Sequence, residues 1–238
     1  LYYNENQPKE KPMELTYPDI AKMIDHSLLN PQLTCKELED GCRIALQYDV
    51  ASVCIMPFYL KRCAEMLAGS NVKASTTIGF PHGGNTTLIK IAEAEQALKD
   101  GGQELDMVVN ISMVLSEDWK SVHTDIKAVL SITHAAGQKL KVIFENCYLN
   151  DEQKIHLCRI CGELGVDWVK TSTGYGSAGA TLTDVKLMRA SSPASVQVKA
   201  AGGIRTLDRL LEMRDCGATR IGASQTVQIL EQAKQRLG

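Results

Sequence analysis

Two lysines occupy matching places in consecutive β-type runs of this 238-residue chain. Lys170 sits inside Asp167-Trp168-Val169-Lys170-Thr171-Ser172-Thr173-Gly174, and Lys199 ends the run Val196 to Lys199. Trp168 and Val169 are strand formers, and Thr171 and Thr173 extend that pattern. Two ammonium groups brought together disfavour each other's charge, and a lysine that gives up its proton attacks carbonyl carbon to form a Schiff base. At a separation of about 6 Å and an effective dielectric of about 20 the repulsion is roughly 3 kcal/mol, enough to move one of them well toward neutrality. Asp106, in the run Glu104 to Asn110, could balance the pair and carry protons. Spacing alone leaves two plainer readings open: a lysine that snorkels from a strand end to water, and a structural Asp–Lys network.

A second kind of chemistry is written in small residues. Gly202-Gly203 follows the run that ends at Lys199, and Gly222-Ala223-Ser224 follows the last β-type run and opens a helix. Gly174 stands in a third such loop. Backbone N–H groups at loops of this kind, next to a helix N-terminus, hold phosphate in many barrels. Paired glycines also make ordinary turns.

These residues need elements to hold them. β-type runs at Met23 to Leu28, Val50 to Met56, Lys73 to Phe80, Glu104 to Asn110, Lys139 to Glu145, the Lys170 octet, Val196 to Lys199 and Arg220 to Ala223 alternate with helical patterns. The capping box Thr34-x-x-Glu37 opens the first of those helices, with Leu38, Cys42, Ala45 and Leu46 on one face. The others run through Tyr59 to Leu67, Leu88 to Leu98, Trp119 to Thr133, Asp151 to Leu164, Thr183 to Arg189, Leu207 to Leu211 and Gln225 to Leu237. Eight βα units joined by short connections predict an α/β chain folded as one closed (β/α)8 TIM barrel, residues 13–238. An open doubly wound sheet is the alternative. Residues 1–12 are polar and read as a mobile arm, and Met13 could be a native start.

In such a barrel the site lies at the C-terminal ends of the strands. Polar residues late in the runs are therefore the candidates: Asp25, Cys54, Thr76, Asp106, Asn110, Lys141, Glu145, Lys170, Ser172 and Lys199. Thr76, Lys141 and Glu145 are expected to fill polar layers inside the barrel.

Composition narrows the classes. The chain is 44% hydrophobic and 23% charged with a net charge of -2, which gives no basic surface for nucleic acid or anionic membrane. It has no apolar run of about 18 residues and no signal pattern, so the cytoplasm is the default expectation. Most of its eight cysteines fall on apolar positions, and Cys158-x-x-Cys161 fits a helix face better than a redox motif. No histidine or cysteine cluster has metal-ligand spacing, so no metal is expected.

Six stretches, taken together and in order, resemble the deoxyribose-phosphate aldolase family. They are Ile24-Asp25-His26-Ser27-Leu28-Leu29, Phe80-Pro81-His82-Gly83, Glu104-Leu105-Asp106-Met107-Val108, Lys170-Thr171-Ser172-Thr173-Gly174, Val198-Lys199-Ala200-Ala201-Gly202-Gly203-Ile204-Arg205-Thr206 and Arg220-Ile221-Gly222-Ala223-Ser224. The resemblance implies a class I aldolase of deoxyribonucleotide catabolism, cleaving 2-deoxy-D-ribose 5-phosphate to acetaldehyde and glyceraldehyde 3-phosphate. It implies that Lys170 forms the Schiff base, Lys199 lowers its pKa, Asp106 moves protons and Asp25 supports that relay. Gly174, Gly202, Gly203, Gly222 and Ser224 would hold the phosphate, with no cofactor and with a homodimer possible. Tyr175 follows Gly174 where some members have lysine, and Gln225 follows Ser224 where a second serine is usual. Both bear on how firmly and how exclusively phosphate is held. A transaldolase-like Schiff-base barrel, and a barrel that binds sugar phosphate without turnover, are the competing functions.

Overall fold

The structure, a computed structural model, describes residues 15–237. The arm expected at 1–12 and the start at Met13 lie outside them. Eight parallel strands close into a barrel in sequence order, which rules out the open sheet. The strands are β1 (Ile24–Leu28), β2 (Ser52–Ile55), β3 (Lys73–Ile78), β4 (Glu104–Val108), β5 (Lys139–Ile143), β6 (Trp168–Lys170), β7 (Gln197–Ala201) and β8 (Ala218–Ala223). The helices are α1 (Tyr17–Ala21), α2 (Cys35–Tyr48), α3 (Leu60–Leu67), α4 (Thr87–Lys99), α5 (Ile111–Leu115), α6 (Trp119–Ala135), α7 (Asp151–Leu164), α8 (Leu182–Ser191), α9 (Leu207–Asp215) and α10 (Thr226–Leu237).

Strand side chains alternate between two environments, because successive Cβ atoms leave a strand on opposite faces. One set is apolar and buried against the helices: Val53 and Ile55, Leu105 and Met107, Leu140 and Val142, Val169, Val198, Ile221. The helices answer with Leu38, Cys42 and Ala45 on α2, Val122, Ile126 and Val129 on α6, and Leu157, Cys158 and Cys161 on α7. Cys158 and Cys161 are thus part of this core, each a free thiol. The hydrophobic core is the sleeve between sheet and helices, and the other strand face is left for polar groups.

Helix starts follow the sequence signals. Thr34 with Glu37, and Asn150 with Gln153, form reciprocal capping boxes at the starts of α2 and α7. Three local features differ from the expectation. Two short helices, α1 and α5, were not anticipated, and Asn110 caps α5 instead of ending β4. β6 stops at Lys170, so Thr171 and Thr173 are loop residues. Glu145 leaves β5 with φ 58°, a left-handed conformation unusual for a non-glycine, and so does not fill a layer of the barrel.

One buried ion pair holds the end of β4 in place. The Lys90 Nζ of α4 donates to the Val108 carbonyl at 2.9 Å and to Asp125 Oδ2 of α6 at 2.6 Å. Lys90 is wholly buried. A buried ammonium stripped of its carboxylate keeps only the Val108 carbonyl against its lost hydration. Asp125→Ala should therefore destabilise the fold by about 3–5 kcal/mol in urea unfolding, and the double variant Lys90→Met with Asp125→Leu should recover most of it. A loss under about 1 kcal/mol for the single variant would show that water reaches Lys90.

Candidate active site

The inner face of the barrel is charged. In the parallel register Lys170 lies beside Lys199 and Asp106 beside Lys141. Asp106 is the shared contact: its Oδ2 accepts from Lys170 Nζ at 2.7 Å and from Lys199 Nζ at 2.7 Å, and its Oδ1 accepts from Lys141 Nζ at 2.9 Å. Lys199 also meets Asp25 Oδ2 at 2.5 Å, and Lys141 meets Glu104 Oε2 at 2.6 Å and Asp25 Oδ2 at 3.5 Å. Arg220 closes the network with Asp25 Oδ1 at 2.5 Å and Glu104 Oε1 at 2.8 Å.

The inventory is four cations (Lys141, Lys170, Lys199, Arg220) against three carboxylates (Asp25, Glu104, Asp106). They are not equally served. Lys141 touches three carboxylates, Lys199 and Arg220 touch two each, and Lys170 touches Asp106 alone. Burial pushes the Lys170 amine below the usual lysine range; Asp106 opposes this and Lys199 adds to it. Lys199 is buried as deeply, but Asp106 and Asp25 together outweigh that and hold it above the range. Burial also disfavours the charges of Asp25 and Asp106, yet the surrounding cations keep both carboxyls well below their ordinary value. The sequence argument made Lys–Lys repulsion the cause. Dehydration leads instead, and a carboxylate sits between the two ammonium groups.

Above this network opens a cavity of about 610 Å³. Lys170, Lys199 and Asp25 reach its floor, and Gly174, Gly202, Gly203, Gly222 and Ser224 line its wall. Asp106 lies beneath and reaches the cavity only through its lysines. Gly174 and Gly203 have φ of 91° and 81°, which turn the backbone in a way other residues resist. A Cβ on Gly202 would stand 2.8 Å from the Gly179 Cα, so the two loops need that glycine to meet. Among the described residues, the N–H groups of Gly174, Gly203 and Ser224 donate to no backbone carbonyl. Ser224 and Gln225 lead directly into α10. N–H groups without a backbone acceptor, a helix N-terminus and the exposed Arg205 thus meet at one rim of the cavity, the kind of surroundings that favour an anion.

The β6 loop is clamped at both ends. Glu145 accepts hydrogen bonds from the Thr173 N–H (3.1 Å) and hydroxyl, and the Thr173 hydroxyl oxygen accepts from the Tyr175 N–H at 2.9 Å. The Tyr175 hydroxyl donates to the Leu29 carbonyl at 2.7 Å, and its ring meets Phe80 edge-on. Of the remaining candidates, Cys54 lines the cavity, whereas the Thr76 hydroxyl donates to the Ile55 carbonyl and the Ser172 hydroxyl to Thr171. Sequence reasoning passed over Glu104, Arg220 and Arg205. Glu104 stands two residues before Asp106 and so shares its strand face, which was the available signal.

A sequence profile described as DeoC/LacD family aldolase matches residues 20–226. A deoxyribose-phosphate aldolase of Rhodopirellula baltica is 64% identical, over 93% of this chain and 92% of its own. One of Thermococcus gammatolerans is 46% identical, over 91% and 97%. The solved structure of a tetrameric deoxyribose phosphate aldolase from Aeropyrum pernix superposes with a TM-score of 0.86 at 29% identity, covering 93% of each chain. The closed barrel, the charged interior and these likenesses agree: the chain belongs to the DeoC/LacD family of aldolases.

Proposed function

We propose that this aldolase cleaves 2-deoxy-D-ribose 5-phosphate reversibly to acetaldehyde and D-glyceraldehyde 3-phosphate, through a Schiff base on Lys170, in the breakdown of deoxyribonucleotides. The observation that carries the reading is that, among the described residues of the charged network inside the barrel, Lys170 is the one cation with a single carboxylate partner, and it faces the cavity. The names of the relatives support the substrate, and the free N–H groups at the rim suit its phosphate.

The neutral Lys170 amine attacks the C1 aldehyde carbon and forms a carbinolamine. Loss of water, with a proton delivered by the Lys199–Asp106 pair, gives the protonated imine. That imine is the electron sink. When the C3 hydroxyl gives up its proton, the C2–C3 bond breaks and its electron pair moves to C2 as an enamine. Glyceraldehyde 3-phosphate leaves, C2 is protonated, and water returns acetaldehyde and the free amine. Asp106, held between Lys170 and Lys199, can pass protons without leaving its place. Gly174, Gly202, Gly203, Gly222 and Ser224 hold the phosphate, and Asp25 keeps Lys199 charged.

Acetaldehyde with borohydride should add a stable ethyl group to Lys170, read by peptide mapping. An adduct chiefly on Lys199 would overturn the assignment, and none at all would favour a barrel that binds without turnover.

Ser224→Asp should raise KM for the 5-phosphate at least tenfold and leave the weak turnover of plain deoxyribose nearly unchanged. A carboxylate there repels the anion and takes up its donors. Equal losses on both sugars would remove the phosphate from this loop.

A further inference from the structure

We infer that Glu104 and Arg220, two residues that lie below the cavity and do not line it, are positioning residues that fix the pH at which Lys170 becomes a nucleophile. The consequence for catalysis rests on the proposal that Lys170 forms the Schiff base; the charge effect itself does not.

The pair is built to be rigid. Arg220 forks onto Glu104 through both terminal nitrogens, at 2.8 and 3.0 Å, and Nη1 also holds Asp25 Oδ1. Its guanidinium lies over the Trp168 ring, 5.0 Å from the centroid, and the Trp168 Nε1–H is fixed by Thr219 Oγ1 at 3.1 Å. With Oδ1 taken, Asp25 offers Oδ2 to Lys199. Lys199 in turn shares Asp106 with Lys170. A continuous chain of contacts therefore runs from Arg220 through Asp25, Lys199 and Asp106 to Lys170.

The groups facing Lys170 come from five strands: Asp106 on β4, Lys199 on β7, Cys54 on β2, and beyond them Asp25 on β1 and Lys141 on β5. Of these, Arg220 holds Asp25 and Glu104 holds Lys141, and through those two the pair reaches Lys199 and Asp106. With Arg220 in place, three carboxylates face four cations, and the cation with least contact is the one to stay neutral. Without Arg220 the three carboxylates can hold all three lysines protonated. Without Glu104 two carboxylates face four cations, and Lys170 loses its proton more readily still. Removing both restores the native surplus of one cation.

The test titrates Lys170 without relying on imine chemistry. Trace acetic anhydride acylates neutral amines, and peptide mapping across pH gives the midpoint at Lys170. For a unit charge about 10 Å away at an effective dielectric of about 20, Arg220→Met should raise that midpoint by about one pH unit and Glu104→Gln should lower it by about one. The double variant should return close to wild type. Arg220→Lys keeps the charge and loses the fork, so its midpoint should stay within a few tenths of wild type. Borohydride trapping of acetaldehyde should follow the same order. Equal or same-direction shifts in the two single variants, or an Arg220→Lys shift as large as that of Arg220→Met, would overturn the inference. Acetylation midpoints that move as stated while trapping maps to another lysine would leave the charge rule standing and sink the Schiff-base reading.

Discussion

One carboxylate oxygen, Asp106 Oδ2, is shared at 2.7 Å by two buried ammonium groups. Everything else in the barrel interior answers the problem that contact creates. A buried cation needs a carboxylate or must shed its proton, and the interior holds one cation more than its carboxylates can match. The shortage falls on the lysine with the fewest partners. Lys170 is that lysine: β6 sets it beside Lys199 in the register, but Lys199 holds both Asp25 and Asp106 whereas Lys170 meets Asp106 alone. Charge stoichiometry and the placing of the carboxylates thus single out the lysine that most readily gives up its proton.

Such an interior would be ruinous for stability if it were also the core. The fold avoids this by giving its apolar strand residues to the sleeve beneath the helices, where Leu105, Met107, Val142 and Val169 are fully buried. The rigid sleeve then fixes the charged face to within a hydrogen bond's tolerance. Lys90 extends the same logic outward by anchoring the Val108 carbonyl, two residues beyond Asp106. At the rim the demand is reversed. Among the described residues, the Gly174, Gly203 and Ser224 N–H groups there have no backbone acceptor, and Glu145 adopts a left-handed backbone while holding Thr173, next to Gly174 in the cavity wall. Strain kept at a loop that carries function is a common arrangement.

Much of this was legible in the residues. Eight alternations of pattern gave the barrel, and the glycines after the late strands marked loops that line the cavity wall. Lys170, Lys199 and Asp106 stood out because a charge late in an apolar run has to be paired, carried to water or used. Arg220 and Glu104 did not, since a charge near a strand start reads as solvent-facing and their pairing spans distant strands. Glu145 was misread because a non-glycine gives no sign of a positive φ. The early end of β6 has the same origin: Thr171 and Thr173 are strand formers, but Glu145 captures the Thr173 N–H and draws it out of the ladder. The helix α5 is five residues long, too short to display a period.

The central claim is that, of the three lysines in the charged network, Lys170 gives up its proton below the ordinary lysine range while Lys141 and Lys199 hold theirs. Lysine side-chain ¹⁵N spectra report the protonation of each Nζ directly, and Lys→Arg variants assign the signals one by one. The account predicts that Lys141 and Lys199 appear as ammonium throughout the neutral range while Lys170 titrates below the ordinary lysine value. A spectrum in which Lys170 stays fully charged to pH 10, or in which Lys199 loses its proton first, would contradict it.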